Sequence, residues 1–124
     1  MPPPLGPPYR IETPSLVLRC WEPADAPALG ELVGRDLKYL RPRQRWAHDE
    51  PKAPGERVNE VRRWRADFDL DRCWRWAACV DGGTLAGAAM LVRNLSGTAL
   101  HATAWFARRH DGRARHEEVL AALA

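Results

Sequence analysis

The sequence predicts an α+β fold in which a mostly antiparallel sheet of about four strands is covered by three helices. Two observations favour this class. Apolar residues alternate with polar ones in four segments, and they recur at helical spacing in the segments between the first two strands and after the fourth. With 124 residues and 45% hydrophobic content, the chain fits one domain around one modest core.

The N-terminal residues 1–11 are rich in proline and predict a disordered leader, so we expect the folded domain to occupy residues 12–124. No basic segment followed by an apolar one is present, which argues against a signal peptide. No run approaches the roughly 18 consecutive apolar residues of a membrane span. The expectation is a cytoplasmic protein without membrane contact.

The first strand is predicted over residues 14–21, where three apolar side chains share one face: Leu16, Leu18 and Cys20. Pro23 ends this strand because proline cannot donate to a sheet ladder. Asp25 is a predicted N-cap, since its carboxylate could accept from the free amides of the following turn. The helix that follows has an apolar stripe of Leu29, Leu32 and Val33.

A second, short helical segment is predicted at residues 35–40, followed by an irregular excursion over residues 41–55 that is rich in proline and charge. Residues 56–68 form the clearest amphipathic pattern, with apolar side chains at helical spacing. This pattern predicts a helix whose buried positions include Val58, Val61 and Phe68.

Three hairpin-linked strands are predicted at residues 74–80, 84–93 and 99–107. Asp81-Gly82-Gly83 suits a tight turn because glycine tolerates positive φ. Gly87 marks a position of close backbone approach or a bulge within its strand. From Gly112 the sequence returns to helical spacing, which predicts the last helix.

Two function classes are disfavoured by composition. The three cysteines and four histidines match no metal-ligand or redox spacing, so no metal is expected. Arginines flank Trp64 and Trp74 and the formal charge is +3, which leaves a basic nucleic-acid-binding module as an alternative. Interleaved acidic residues break the basic segments, so nucleic-acid binding is the less favoured interpretation.

The segment that indicates chemistry runs from residue 105 to 120, where a strand, a glycine-containing loop and a helix follow one another. The first amides of a helix lack internal acceptors and bind phosphate oxygens readily. Gly112 allows close approach of a ligand, Ala114 leaves space, and three arginines add positive charge: Arg109, Arg113 and Arg115. On this evidence alone, a solvated basic helix start is the preferred explanation.

Residues 109–114, Arg-His-Asp-Gly-Arg-Ala, resemble the (Gln/Arg)-x-x-Gly-x-(Gly/Ala) acetyl-CoA pyrophosphate loop of the GNAT acetyltransferase superfamily. Three further segments are similar to its RimJ/RimL-like branch of ribosomal-protein N-terminal acetyltransferases. Residues 12–26 resemble the opening strand and first helix of that branch, residues 40–47 its acceptor-side loop, and residues 104–106 its fourth-strand aromatic signature. The resemblance covers residues 12 to about 120.

The resemblance implies a site as well as a fold. The backbone of Phe106, Ala107 and Arg108 would pair with the pantetheine arm of acetyl-CoA. Arg109 opens the pyrophosphate loop, and the amides that would hold the diphosphate are those of Gly112, Arg113, Ala114, Arg115 and His116. An acceptor amine would attack the thioester directly, and a general base would take its proton.

The base and the acceptor pocket are less defined by the sequence. His101 in the fourth strand and Asp49 or Glu50 in the excursion are candidate bases, although each is also explained as a structural or solvated side chain. Trp46 is a candidate for the acceptor pocket, or else a packing anchor. The acceptor itself could be a protein N-terminus or a small-molecule amine.

The sequence also differs from the pattern of this family in two ways. Charged residues replace the small and aromatic ones that the family places after the loop, and the chain ends within the last helix, before a fifth strand. We therefore expect an incomplete GNAT domain with weak or no activity alone. A homodimer or a complementing chain that completes the enzyme, and a non-catalytic CoA- or protein-binding half-domain, remain alternatives.

Overall fold

The computed structural model describes residues 7–124, which form five strands and four helices. The strands are β1 (Arg10–Glu12), β2 (Val17–Cys20), β3 (Trp74–Val80), β4 (Thr84–Arg93) and β5 (Leu100–Phe106). The helices are α1 (Ala26–Arg35), α2 (Leu37–Leu40), α3 (Pro54–Asp69) and α4 (Arg113–Leu123). Short 3₁₀ turns lie at Pro23–Asp25, Arg45–Asp49 and Arg108–His110. The predicted α+β class is confirmed, with five strands where about four were expected and, counting the short α2, four helices where three were expected.

All five strands belong to one antiparallel sheet whose spatial order is the chain order, from β1 to β5. Side chains of β3 alternate between its two faces. Trp76 and Ala78 pack on the side where α4 contributes Val119, whereas Ala77 and Cys79 pack on the side of α1 and α3. The sheet is therefore covered on both faces, and β5 lies at one edge.

The first strand lies inside the segment that the sequence predicts as a disordered leader. β1 pairs with β2, the Tyr9 ring stacks on Phe68 at 4.7 Å, and the Trp76 indole donates to the Pro8 carbonyl at 3.0 Å. The predicted boundary after residue 11 is therefore wrong. Proline content indicated disorder, but strand pairing and aromatic stacking outweigh it for residues 7–11. The remainder of the predicted leader, residues 1–6, lies outside the described residues.

The predicted N-cap of the first helix is also corrected. The Asp25 carboxylate makes no cap hydrogen bond to α1. It accepts instead from the Glu22 amide at 2.8 Å and from both terminal nitrogens of Arg19 at 2.7 and 2.9 Å. Arg19 on the preceding strand β2 offers both a full positive charge and a bidentate geometry, which a single backbone amide at a cap does not.

Gly87 is a point of close backbone approach and lies at a bulge, as predicted. A side chain at this position would meet the Trp105 carbonyl oxygen at 2.1 Å and the Phe106 Cα at 2.8 Å. The register of β3 and β4 shifts here, which leaves Ala86 without a partner in β3. Glycine thus allows β5 to lie closely against β4 at the end of the strand that leads into the predicted cofactor loop.

Candidate active site

The predicted cofactor loop has the strand–loop–helix geometry that a diphosphate site of this kind would require. β5 ends at Phe106, the 3₁₀ turn follows at Arg108–His110, and α4 begins at Arg113. Gly112 precedes the helix in an extended conformation with φ 166°. Gly112, Arg113 and Ala114 are exposed, so the helix N-terminus is open to a ligand from solvent.

Three of the five predicted diphosphate-binding amides are free. The Gly112 amide donates to the Asp111 carboxylate at 2.9 Å, and the His116 amide donates to the Gly112 carbonyl at 3.2 Å. The amides of residues 113–115 have no acceptor among residues 7–124. The free helix terminus therefore offers three converging N–H donors and a partial positive charge.

Asp111 places a carboxylate inside this loop, but its charge is compensated. Its oxygens accept from the Tyr39 hydroxyl, from the His116 ring at 2.7 Å and from the Gly112 amide. Burial by itself raises the pKa of Asp111, yet these hydrogen bonds outweigh burial and hold the pKa below its ordinary value. The contact with Tyr39 also joins α2 to the start of α4.

The surroundings of the loop are electropositive. Burial, followed by the charges of Arg109 and Arg115, lowers the pKa of His110. One terminal nitrogen of Arg115 is buried and has no hydrogen-bond partner among the described residues. These features favour an anion near the loop, because each would gain from a negative charge placed beside it.

The backbone predicted to pair with pantetheine is partly occupied. The Ala107 amide donates to the Ala86 carbonyl at 2.8 Å, and the Arg108 amide donates to the Asp36 carboxylate at 2.9 Å. Phe106 and Ala107 are buried, whereas Arg108 is exposed. The assignment of residues 106–108 to the pantetheine arm therefore stays a prediction, with these two amides already bonded within the chain.

A cavity of about 450 Å³ lies on the opposite side of the sheet from α4. It is enclosed by α1, α3, the 44–52 segment and the strands β4 and β5. Four of the six tryptophans of the chain line it: Trp21, Trp46, Trp64 and Trp105. Trp46 lies 4.9 Å from Trp105, and Trp21 lies 5.3 Å from Trp64, between ring centroids. The volume is within the range of about 300–1,000 Å³ typical of small-molecule sites.

Three of the four predicted candidates for the base and the acceptor pocket line this cavity, and the fourth does not. Trp46 and Glu50 line it, as does Asp49. His101 is exposed on β5, opposite Val92, and is not part of the cavity wall. The structure therefore does not support His101 as a general base at this cavity, because this residue is exposed and does not line the enclosed space.

A buried ion-pair network forms part of the cavity wall. Glu50 pairs with Arg57 through one carboxylate oxygen and with Lys52 at 3.4 Å through the other. Glu60 pairs with Arg57 at 2.8 Å and with Lys52 at 3.5 Å. The side chains of Glu50 and Arg57 are only 2% and 6% exposed. Because both Glu50 oxygens are held by cations, this carboxylate is suited to positioning rather than to accepting a proton.

Sequence reasoning missed Arg57, because an arginine on a helix usually indicates the solvated face. Its position four residues before the buried Val61 was the available signal, since residues four apart share one helix face. Within the part of the chain that the structure describes, the Arg57 Nε atom has no hydrogen-bond partner, and it lies near Gly30 of α1. A side chain at Gly30 would lie 4.0 Å from it.

Trp105 joins the cavity to the predicted cofactor segment. Its indole lines the cavity beside Thr103, and the next residue, Phe106, begins the segment that leads into the α4 loop. Alternation along β5 places Phe106 on the other face, in the core that contains Val119. One strand end thus separates the side-chain-lined cavity from the exposed backbone amides at the start of α4.

Other site types find no support in the part of the chain that the structure describes. Within residues 7–124, no cluster of three or more histidine, cysteine, aspartate or glutamate side chains is placed to hold a metal ion. None of the helices in this range combines the length and the apolar character needed to cross a membrane. Cys20, Cys73 and Cys79 are buried thiols.

No protein-family model and no curated protein sequence matches the chain, but solved structures do. RimL, a ribosomal L7/L12 α-N-protein acetyltransferase in complex with coenzyme A, matches with a TM-score of 0.79 and 18% identity over 92% of this chain and 64% of that chain. MccE, the microcin C7 self-immunity acetyltransferase in complex with acetyl-CoA and AMP, gives a TM-score of 0.77 and 11% identity over 89% of this chain and 61% of that chain.

A third structure is the acetyltransferase of Salmonella typhimurium that modifies the N-terminal serine of the 50S subunit protein L7/L12. Its TM-score is 0.72 at 18% identity, over 90% of this chain and 62% of that chain. The present chain thus spans less than two thirds of the length of these three proteins. At these identities the likeness concerns the fold: residues 7–124 fold as GNAT acetyltransferases do over the matched region.

Proposed function

We propose that this chain binds acetyl-CoA at the start of α4 and acts in acetyl transfer to a primary amine held in the tryptophan-lined cavity. The observation that carries the proposal is the position of Trp105. It contributes to the cavity wall one residue before the segment that leads into the open helix terminus. A thioester that reaches past this strand end from the start of α4 would meet an amine held in the cavity.

The loop supports the cofactor part of the proposal. Three free amides, the helix dipole and neighbouring arginines all favour the diphosphate of coenzyme A. The Asp111 charge is already satisfied by Tyr39, His116 and the Gly112 amide, which reduces its repulsion of phosphate. Solved structures with the same fold include complexes with coenzyme A and with acetyl-CoA.

The proposed reaction requires mainly that the protein hold the amine next to the thioester. The neutral amine nitrogen attacks the thioester carbonyl, so that a C–N bond forms, the C–S bond breaks and the thiolate leaves with a proton from solvent. The amine must first lose a proton. Among the carboxylates that line the cavity, Asp49 has no ion pair within residues 7–124, whereas Glu50 is paired with Arg57 and Lys52. Holding amine and thioester together can lower the barrier by roughly 7–11 kcal/mol in favourable cases.

Calorimetric titration of the full chain with acetyl-CoA tests the cofactor part. Ala114→Glu places bulk and negative charge at the exposed helix start, and we expect it to weaken binding at least tenfold. Ala121→Glu makes the same change at an exposed position near the end of α4 and should bind like the unmodified chain. Unchanged binding by Ala114→Glu, or no binding by the unmodified chain, would overturn the proposal.

Release of free thiol from acetyl-CoA in the presence of amines measures the transfer step separately. Because the chain spans 61–64% of the length of the compared acetyltransferases, binding and turnover are distinct questions. Binding that responds to Ala114→Glu without thiol release would favour the second candidate, a non-catalytic CoA-binding domain. The free helix terminus supports that candidate equally well.

A further inference from the structure

The cavity wall is unusually aromatic for its size. Four indole side chains surround about 450 Å³, and further apolar surface comes from Leu29, Val33, Ala88 and Met90. Three of the tryptophans are only partly buried: Trp46, Trp64 and Trp105. They therefore present ring surface to a ligand, and aromatic faces attract both flat apolar groups and cations.

The charges around the cavity cancel with one exception. Glu50 and Glu60 are paired with Arg57 and Lys52, and Arg75 pairs with Asp67 at 3.4 Å. Arg75 also lies over the Trp64 ring at 5.7 Å. Asp49 lines the cavity and has neither an ion pair nor a side-chain hydrogen bond to any residue from 7 to 124. Its negative charge is thus available to a cationic ligand.

We propose that this cavity selects primary amines carried on an aromatic or bulky apolar group. The ammonium would lie against Asp49, and the apolar group would pack on Trp46 and Trp105. The inference rests on the proposed function, of which it specifies the acceptor class.

The acceptor would differ from the small polar residue that one compared protein modifies. The Salmonella typhimurium acetyltransferase acts on an N-terminal serine. A small polar group beside the amine would leave the indole surfaces of Trp46 and Trp105 in contact with water. Burying a phenyl ring against them removes apolar area from water and adds aromatic contact.

Calorimetric titration with three small probes tests this selectivity without acetyl-CoA. The probes are 2-phenylethylamine, its neutral analogue 2-phenylethanol, and ethanolamine, which keeps the amine but lacks the ring. At pH 7 we expect 2-phenylethylamine to bind at least ten times more tightly than either of the other two. Both the ring and the charge are then needed for binding.

Two variants separate the contribution of the ligand's charge to binding from the contribution of its aromatic ring. Asp49→Asn should weaken binding of 2-phenylethylamine about tenfold and change that of 2-phenylethanol by less than twofold. Trp46→Leu should weaken both ring-containing probes. Glu31→Gln, an exposed carboxylate on α1 outside the cavity, is the matched control and should leave all three affinities unchanged. Asp49 is exposed and Trp46 half-buried, so these variants should keep the circular dichroism of the unmodified chain.

The inference is overturned if ethanolamine binds as tightly as 2-phenylethylamine, or if Asp49→Asn weakens the two ring probes equally. Its failure is distinguishable from failure of the proposed function. Acetyl-CoA binding that responds to Ala114→Glu, together with no preference among the amines, would remove the acceptor class alone. Selective amine binding without acetyl-CoA binding would remove the acetyl-transfer proposal and leave an aromatic-amine site.

Discussion

The loop before α4 and the tryptophan-lined cavity lie on either side of one strand end, yet they are built differently. The loop consists of consecutive residues, and the groups that we propose to bind the cofactor are backbone amides at an exposed helix start. The cavity is assembled from side chains that are far apart in the chain, from Trp21 to Trp105. Its charged wall, Glu50 with Arg57, is buried.

The two regions therefore differ in how well they tolerate substitutions. A helix N-terminus keeps its free amides whatever most of its side chains are, so the loop tolerates exposed substitutions unless they block the ligand. The cavity depends on particular side chains and on buried charges that are costly when unpaired. Substitutions at the buried charges of the cavity should therefore affect folding, whereas substitutions at the exposed start of α4 should affect ligand binding and local ionisation.

The largest expected effect tests the cavity side. Arg57→Met removes the cation that pairs with both Glu50 and Glu60 and leaves their charges with Lys52 alone. We expect the free energy of unfolding to fall by about 3 kcal/mol, because breaking a buried ion pair strands a charge in a poorly solvated site. Urea unfolding followed by circular dichroism measures this change.

Arg62→Met is the matched control for Arg57→Met, since Arg62 is exposed on the same helix. It should change the free energy of unfolding by less than about 0.5 kcal/mol. Adding Glu50→Gln to Arg57→Met should recover part of the loss, because the stranded charge is removed. Equal effects of the two arginine substitutions would show that the buried network contributes nothing to folding.

The difference between contiguous residues and residues that are far apart in the chain also explains how much of the fold the sequence predicts. Local signals located the strands β2 to β5, the helices, the turn at Gly82 and the close approach at Gly87. They missed β1, because its three residues follow a proline-rich segment and its pairing depends on contacts with Phe68 and Trp76. They also misassigned Asp25, whose partner Arg19 lies on a neighbouring strand.

The residues of the candidate site also divide into those that local sequence patterns predict and those that they do not. Residues 109–116 could be identified from the sequence, because a strand, a glycine loop and a helix start are contiguous. The cavity could be identified only in part, through Trp46 and Glu50, because nothing local indicates that Trp21, Trp64 and Trp105 converge. Arg57 and Asp111 were not predicted to form hydrogen-bond networks, since their partners come from other elements.

A smaller effect is expected at Glu118, which anchors α4 to the turn between β1 and β2. Its carboxylate accepts from the Ser15 hydroxyl at 2.8 Å, the Ser15 amide at 3.0 Å and the Thr13 hydroxyl. Glu118→Gln should lower the free energy of unfolding at pH 7 by about 1 kcal/mol. Glu117→Gln, on the exposed neighbouring position, should cost only a few tenths, or about 0.3 kcal/mol.

The pH dependence of the Glu118 contribution follows from its ionisation. Burial by itself raises the pKa of Glu118, but the hydrogen bonds from Thr13 and Ser15 outweigh it and lower the pKa below the ordinary value of 4.5. A carboxyl with a lowered pKa in the folded state stabilises the fold above its unfolded pKa, and this contribution is lost as the pH falls. The stabilities of Glu118→Gln and the unmodified chain should therefore converge in acid. A difference that persists unchanged into acid would mean that ionisation of Glu118 is not involved.

The smallest effect, and the most direct test of the loop, is the ionisation of His110. Burial, then Arg109 and Arg115, lowers the pKa of His110 below 6.5 in the free chain. A diphosphate bound at the amides of residues 113–115 would place negative charge near this ring and favour its protonated form. Saturating coenzyme A should therefore raise the pKa of His110, as followed by the ring-proton resonances during an NMR pH titration. The resonances of His48, in the turn on the cavity side, should not respond to coenzyme A. If coenzyme A binds and the pKa of His110 does not change, the diphosphate lies elsewhere. The proposed anion site at the backbone amides of α4 would then be wrong, and only the cavity built from side chains would remain.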